Sequence, residues 1–384
     1  MAETVRESQR TPASSIEAGA RNAEIEEKLE RVEGFLDRNA AGALLLSRHG
    51  NIAWITAGQV EARVAQGAET AVCSLLVTRD GRKYYLAPNN EAARLADEEF
   101  TGLGYEPVIY SWHEGPGHRM RELAGGSVVC TDATYPDAKL VNLTGLQTPL
   151  LPQEIDRLRA LGRDTAAVTV EVLEELTPGV TEREMAARIS AALWMRGIAP
   201  TVLLMGTDER IYRYKHAVPR VGVLKRYGML NLCARRWGLV VSITRFIYFG
   251  SLPGELAAAF EAAAQIHGEL LHATKNGEAS SRIYAAAQRA YAAVGAAGEI
   301  EQHHQGGPCG YAERDWLITP HGTERVAAPQ AFAYNPSLRG AKAEDTVVLA
   351  DGKFETVTAT PELPVIEAAV DGVTYRSAGV LVRS

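Results

Sequence analysis

The sequence predicts an α+β protein built as two domains, and three observations carry that prediction. The chain has 384 residues, and at about 150 residues per domain this length implies two domains or slightly more. Its first part alternates short β-like runs with turn signals, whereas its second part sets long helical stretches beside paired strand-like runs. Between the two, Pro149 and Pro152 punctuate the chain as a linker does. The resulting division is a polar N-terminus over 1–20, expected to be disordered; a small α/β domain over 21–150; and a larger α+β domain over 151–384.

The elements follow in order. Residues 16–39 read as a helix, because Ile25, Leu29, Val32 and Leu36 recur at three- and four-residue steps among strong helix formers. Short apolar runs at 43–47, 52–56, 71–78 and 83–87, separated by signals such as Asp80-Gly81, read as strands. Residues 90–100 resemble a helix. A long helix is expected from Gln153 to Leu176, ended by Thr177-Pro178-Gly179. Thr181, with Glu184 three residues on, forms a capping box for a helix that carries Met185, Ile189 and Leu193 on one face. Residues 228–250 read as two strands joined by a tight turn near 236–238. Pro253 opens an Ala-rich helix to about Lys275, and another helix is expected over 279–294. A Gly-rich loop at 303–311 and several short strands complete the chain.

Composition narrows the function classes. The formal charge is −7 with no basic stripe, which argues against nucleic acid as a partner. No apolar run reaches the ~18 residues that span a bilayer, and the N-terminus lacks the apolar segment of a signal peptide. Cys73, Cys130, Cys233 and Cys309 form no CxxC pair. Single scattered cysteines fit a reducing compartment, so a cytoplasmic location is expected.

Four blocks then carry a resemblance. They are Lys215-His216-Ala217-Val218-Pro219; the hairpin ending in Ser242-Ile243-Thr244-Arg245; the segment from His303 to Gly310; and Tyr334-Asn335-Pro336 followed by Lys342-Ala343-Glu344-Asp345-Thr346. In order and spacing they resemble the "D…DxTR", "HxxGHGxG" and "EPG…EDT" segments of the creatinase, aminopeptidase P and prolidase family. The resemblance covers roughly 24–384. It implies a C-terminal pita-bread domain preceded by a smaller creatinase-type α/β domain, and a homodimer acting on a small molecule.

The departures matter as much. Metal-using members of that family bind two divalent ions through two Asp, one His and two Glu. Here the matching positions hold Asn231, Ser242, Gly307, Asn335 and Glu344. One carboxylate among amides and a hydroxyl is a poor donor set for hard or borderline cations, so no metal and no other cofactor are expected.

The resemblance places His216 on the substrate side, where an imidazole can act as acid or base. Its neighbours Arg213, Lys215 and Arg220 are expected to lower its pKa. Glu344 is expected to hold a cationic or N–H group of a substrate, or an internal arginine. His303 and His304 are further candidate catalytic groups. Arg245 is a candidate carboxylate clamp. Asn231, Ser242, Asn335, Tyr212 and Arg314 are candidate substrate contacts. Cys309 is a minor candidate nucleophile.

Three functions fit these residues. The favoured one is a metal-independent enzyme acting on a small polar amino-acid-like, amide or amidine substrate, by C–N hydrolysis or a lyase- or cyclase-type step. Another is a non-catalytic ligand-binding or scaffold protein. The last is a metallopeptidase with relocated ligands, for example His303, His304, Glu313 and Glu344.

Overall fold

The computed structural model describes residues 15–384 and divides into two compact units between Leu146 and Gln147. The expected disorder over 1–20 falls largely on 1–14, outside the described residues. Residues 15–20 already belong to the first helix, α1 (Ser15–Arg38).

The first unit continues through β1 (Ala43–Arg48), α2 (His49–Ile55), β2 (Thr70–Thr78), β3 (Lys83–Pro88) and α3 (Ala92–Arg94). β4 (Glu106–Tyr110), α4 (Gly117–Ala124), β5 (Val129–Thr131) and β6 (Lys139–Leu140) complete it. Its sheet has the order β4-β3-β2-β1-β5-β6 and mixes parallel and antiparallel pairs. The run at 52–56 was expected as a strand and is helical instead. Asp132 explains the switch: its carboxylate accepts from the backbone N–H of Ser47 (2.8 Å) and Arg48 (3.0 Å) and from Asn51 Nδ2 (2.7 Å). These bonds close the strand and start a turn of helix that buries Ile52, Trp54 and Ile55.

A short turn, α5 (Thr144–Gln147), lies at the division. The second unit then runs through α6 (Pro152–Glu175), α7 (Glu182–Trp194), β7 (Ala199–Thr207), α8 (Glu209–Arg213), β8 (Tyr227–Arg236) and β9 (Leu239–Phe249). Next come α9 (Gly254–Ala273), α10 (Ser280–Ala293), β10 (Gly306–Cys309), β11 (Gln330–Tyr334), β12 (Ser337–Leu338) and β13 (Ala341–Lys342). β14 (Asp345–Ala350), β15 (Lys353–Thr356), β16 (Val365–Val370), β17 (Val373–Ala378) and β18 (Val380–Arg383) close the chain. The capping box at Thr181 forms, with Glu184 Oε2 accepting from the Thr181 N–H at 2.7 Å.

One sheet has the order β18-β9-β8-β7 and a second the order β10-β11-β14-β15. Part of the expected Gly-rich loop is thus the edge strand β10. An edge is where Pro308 is tolerated, because a proline donates no ladder hydrogen bond. The sheets are stitched where β9 meets the start of β14: the Thr244 N–H donates to Glu344 O, and Ser242 N–H to Thr346 Oγ1 at 2.7 Å. Helices α9 and α10 pack Ile266, Leu270, Ile283 and Tyr291 against Phe332, Tyr334 and Val347 of the second sheet. This junction between two rigid sheets positions the candidate site.

Candidate active site

The site is assembled from four places in the second unit. β8 and β9 supply Asn231, Ser242 and Thr244. The start of β14 supplies Glu344, and β13 supplies Lys342. The loop before β10 carries His303 and His304, and the loop after α8 carries His216. The last loop is pinned. Lys215 Nζ bonds Glu299 Oε2 at 2.7 Å and Ser337 O at 3.2 Å, which brings His216 toward His303. On the other side Gln305 fixes the backbone: its Nε2 donates to His303 O at 2.6 Å while its Oε1 accepts from Tyr291 OH at 2.8 Å.

Glu344 is the electrostatic centre. Its carboxylate is fully enclosed and forms ion pairs with Lys342 Nζ at 2.9 Å and Arg314 Nη2 at 3.2 Å. Asn231 Nδ2 (2.6 Å) and Thr244 Oγ1 also donate to it. Burial alone would raise its pKa. The two cations and the hydroxyl outweigh burial and hold it at about 2. The expectation that Glu344 acts as a catalytic group is therefore revised. An anion with this many internal partners does not take a proton near neutrality. Its partners are Lys342 and Arg314, not Arg245.

Around it, the other expected site residues divide. Asn231 spends its amide on Glu344 and on Thr244 Oγ1 (2.7 Å). Ser242 is fully buried and its Oγ accepts from Arg314 Nη1 at 3.0 Å. Asn335 is buried beside Gln305, whose carbonyl accepts its N–H. Arg245 is 1% exposed and uses its guanidinium on Asp345 Oδ1 (2.6 Å), Thr358 O (2.8 Å), Thr360 Oγ1 (2.8 Å) and Thr244 O (2.7 Å). It is a structural cross-link, so the expected carboxylate clamp is corrected. Tyr212 lines a separate groove with Glu209, Pro253 and Arg339, away from the histidines. Cys309 is buried, and burial pushes its thiol well above the usual range, which leaves no thiolate nucleophile.

The three histidines do come together. His216 Nε2 and His303 Nε2 are 2.8 Å apart, and His303 Nδ1 lies 2.6 Å from the His304 carbonyl. A carbonyl only accepts, so His303 carries its proton on Nδ1 and presents a lone pair at Nε2. His216 must then donate from its Nε2, which leaves its Nδ1 unprotonated. The Gly306 N–H donates to His304 Nδ1 at 3.2 Å, which places the His304 proton on Nε2. All three are held neutral. Burial, then Lys342, lowers His303 to about 3; burial, then Arg314 and Lys342, lowers His304 to about 4. Burial and Lys342 also lower His216, with Glu344 partly opposing. The flanking cations Arg213, Lys215 and Arg220, expected to do this, are not the cause.

These residues do not fit the dinuclear metal centre of the resembling family. Asn231 faces Glu344 with an N–H, not a lone pair. Gly307 has no side chain, and a Cβ built there would sit 2.2 Å from the Trp316 carbonyl oxygen. The ligand nitrogens of His216, His303 and His304 lie within 4.8 Å of one another. However, the lone pairs of His303 Nε2 and His304 Nδ1 are already used, and the Lys342 ammonium bears on all three rings.

Sequence reasoning missed Lys342. The signal was present: it stands two residues before Glu344 in an extended segment, and side chains two apart point to the same side.

Two sheets flanked by helices, with the site at their junction, define a pita-bread protein. The chain belongs to the metallopeptidase family M24, whose model matches residues 156–351. No curated protein matches it in sequence. Among solved structures it is similar to dipeptidase PepE from Mycobacterium ulcerans, with 17% identity, a TM-score of 0.73, and coverage of 94% of this chain and 98% of that one. It is also similar to an Xaa-Pro dipeptidase from Bacillus anthracis (15% identity, TM-score 0.72, 94% and 100% covered). A third is the N-terminal domain of the FACT complex subunit SPT16 from chickpea, Cicer arietinum (13%, 0.62, 87% and 96%). At these identities the likeness is one of fold.

Proposed function

We propose that this M24 protein is a metal-independent hydrolase that cleaves a C–N bond in a small polar, amino-acid-like amide. The observation that carries the reading is the 2.8 Å contact between His216 Nε2 and His303 Nε2. With its Nε2 proton given to His303, His216 keeps an unprotonated Nδ1 with no protein partner among the described residues. That nitrogen takes a proton from water while the hydroxyl oxygen adds to the amide carbonyl carbon. The positive charge formed on His216 is spread onto His303 through the shared hydrogen bond. The C–N bond then breaks, and the same proton passes to the leaving nitrogen, giving a carboxylic acid and an amine. A homodimer, as the family resemblance implies, is part of the reading.

The test combines elemental analysis with turnover of a panel of small amides and amidines. The expected result is well under one metal ion per chain, turnover insensitive to chelator, and a His216→Ala variant at least about 100-fold slower with an unchanged melting temperature. Turnover that depends on added manganese, cobalt or zinc would overturn it.

A second reading is favoured by one observation. The Glu344 carboxylate is held by Lys342, Arg314 and Asn231, as in a module that binds without catalysis, and the fold is shared with a FACT complex subunit. Ligand affinity that survives in His216→Ala, with no turnover in either protein, would select it.

A further inference from the structure

We propose that this site binds its ligand through a carboxylate, with the Lys342 ammonium as the anchoring cation and His304 Nε2–H as a second donor. The inference shares with the reading above only the placing of the ligand at this site.

Charge comes first. Lys342 and Arg314 both pair with the single carboxylate of Glu344, two cations on one buried anion. The three imidazoles are neutral and do not change that count. Asp345 is taken by Arg245 (2.6 Å) and Glu299 by Lys215 (2.7 Å), while Asp315, which Arg314 also faces, is pushed up by burial to about 7 and so carries only part of a charge at neutral pH. A monoanionic ligand group offsets the positive excess at Lys342 and Arg314, whereas a cationic one adds to it. Burial makes this selection strong, because little water screens the charges.

Hydrogen bonding agrees. Lys342 is 8% exposed, and its ammonium makes one contact to a protein acceptor among the described residues, with Glu344 Oε2. An ammonium has three N–H groups, so donors remain for a ligand. His304, whose Nδ1 is taken by the Gly306 N–H, is exposed, and its Nε2–H has no protein acceptor among the described residues. Two free donors, one of them cationic, favour a ligand group that accepts hydrogen bonds. The retained metal-ligand position thus holds a fixed organic cation in place of an ion, and the polarity of the ligand group is set accordingly.

The test is a titration of the full chain with N-acetylglycine, its neutral counterpart N-acetylglycinamide, and inorganic phosphate. Binding is read from the imidazole NMR resonances, and hydrolysis is followed separately. N-acetylglycine is expected to bind at least about tenfold tighter than the amide. Lys342→Met should erase that difference and Lys342→Arg should keep it. If the methionine variant folds poorly, the charge-balanced pair Lys342→Met with Glu344→Gln replaces it. Equal binding of the amide, equal binding of phosphate, or no binding of any probe up to about 50 mM, where even millimolar affinity registers, each overturns the proposal. Carboxylate-selective binding without turnover would leave it standing while the hydrolytic reading fails.

Discussion

The Lys342 ammonium lies 2.9 Å from Oε2 of Glu344, so the one acidic residue kept from a metal-binding pattern is held by a lysine two positions before it in the chain. Both side chains are over nine-tenths buried, and Arg314 closes the other carboxylate oxygen.

Removing one member of this cluster leaves charge uncompensated in a dry place. Lys342→Met is expected to destabilise the second unit by about 3 kcal/mol, measured by urea unfolding. The double variant with Glu344→Gln should recover at least half of that loss, because the buried anion goes with its cation. Additive losses would show that the two residues do not act as a pair.

Acid should loosen the site in two stages. His303 and His304 have folded-state pKa values near 3 and 4, below the ordinary 6.5. Groups shifted downward stabilise the fold fully above the unfolded value. That contribution is lost as pH falls from 6.5 toward 3. Glu344, at about 2 instead of 4.5, adds a second loss below pH 4.5. Melting temperature should therefore decline from pH 6.5 downward, and His303→Gln should flatten the upper part of that decline. An identical slope in the variant would remove His303 as a cause.

Glu182 positions the His216 loop without touching the site. It is fully buried, and its carboxylate accepts from the Thr207 N–H (3.0 Å), Arg210 Nε (2.7 Å) and the Arg220 N–H (2.9 Å), which brackets His216 on both sides. Glu182→Ala should speed amide hydrogen exchange across 208–222 while the exchange of β8 and β9 stays slow. Faster exchange everywhere would mean global destabilisation instead.

Gly306 makes the turn that presents His304. Its φ is +87°, and a Cβ there would meet the Ala333 carbonyl oxygen at 2.1 Å. Gly306→Ala should lower stability by about 1–3 kcal/mol and shift the His304 ring resonances. A neutral substitution would show that β10 can move away from β11.

Much of this was legible in the sequence, and for local reasons. The helix at 15–38, the capping box at Thr181 and the hairpin 227–249 follow from periodicity, capping chemistry and turn residues, which act over a few positions. The family followed from four spaced blocks. The run at 52–56 was misread because Asp132, about eighty residues away, ends the strand before it.

The sequence by itself determined the family and the replacement of residues at four of its five metal-ligand positions, since those are statements about which residues stand where. Only the tertiary structure decided what surrounds the positions that match the family's metal ligands. It put Arg245 on Asp345, turned Asn231 and Ser242 inward, aimed Lys342 and Arg314 at Glu344, and brought His216 across 87 positions to His303. The physical reason is that a charge buried at a sheet junction takes the nearest opposite charge in space, and chain order does not specify that neighbour.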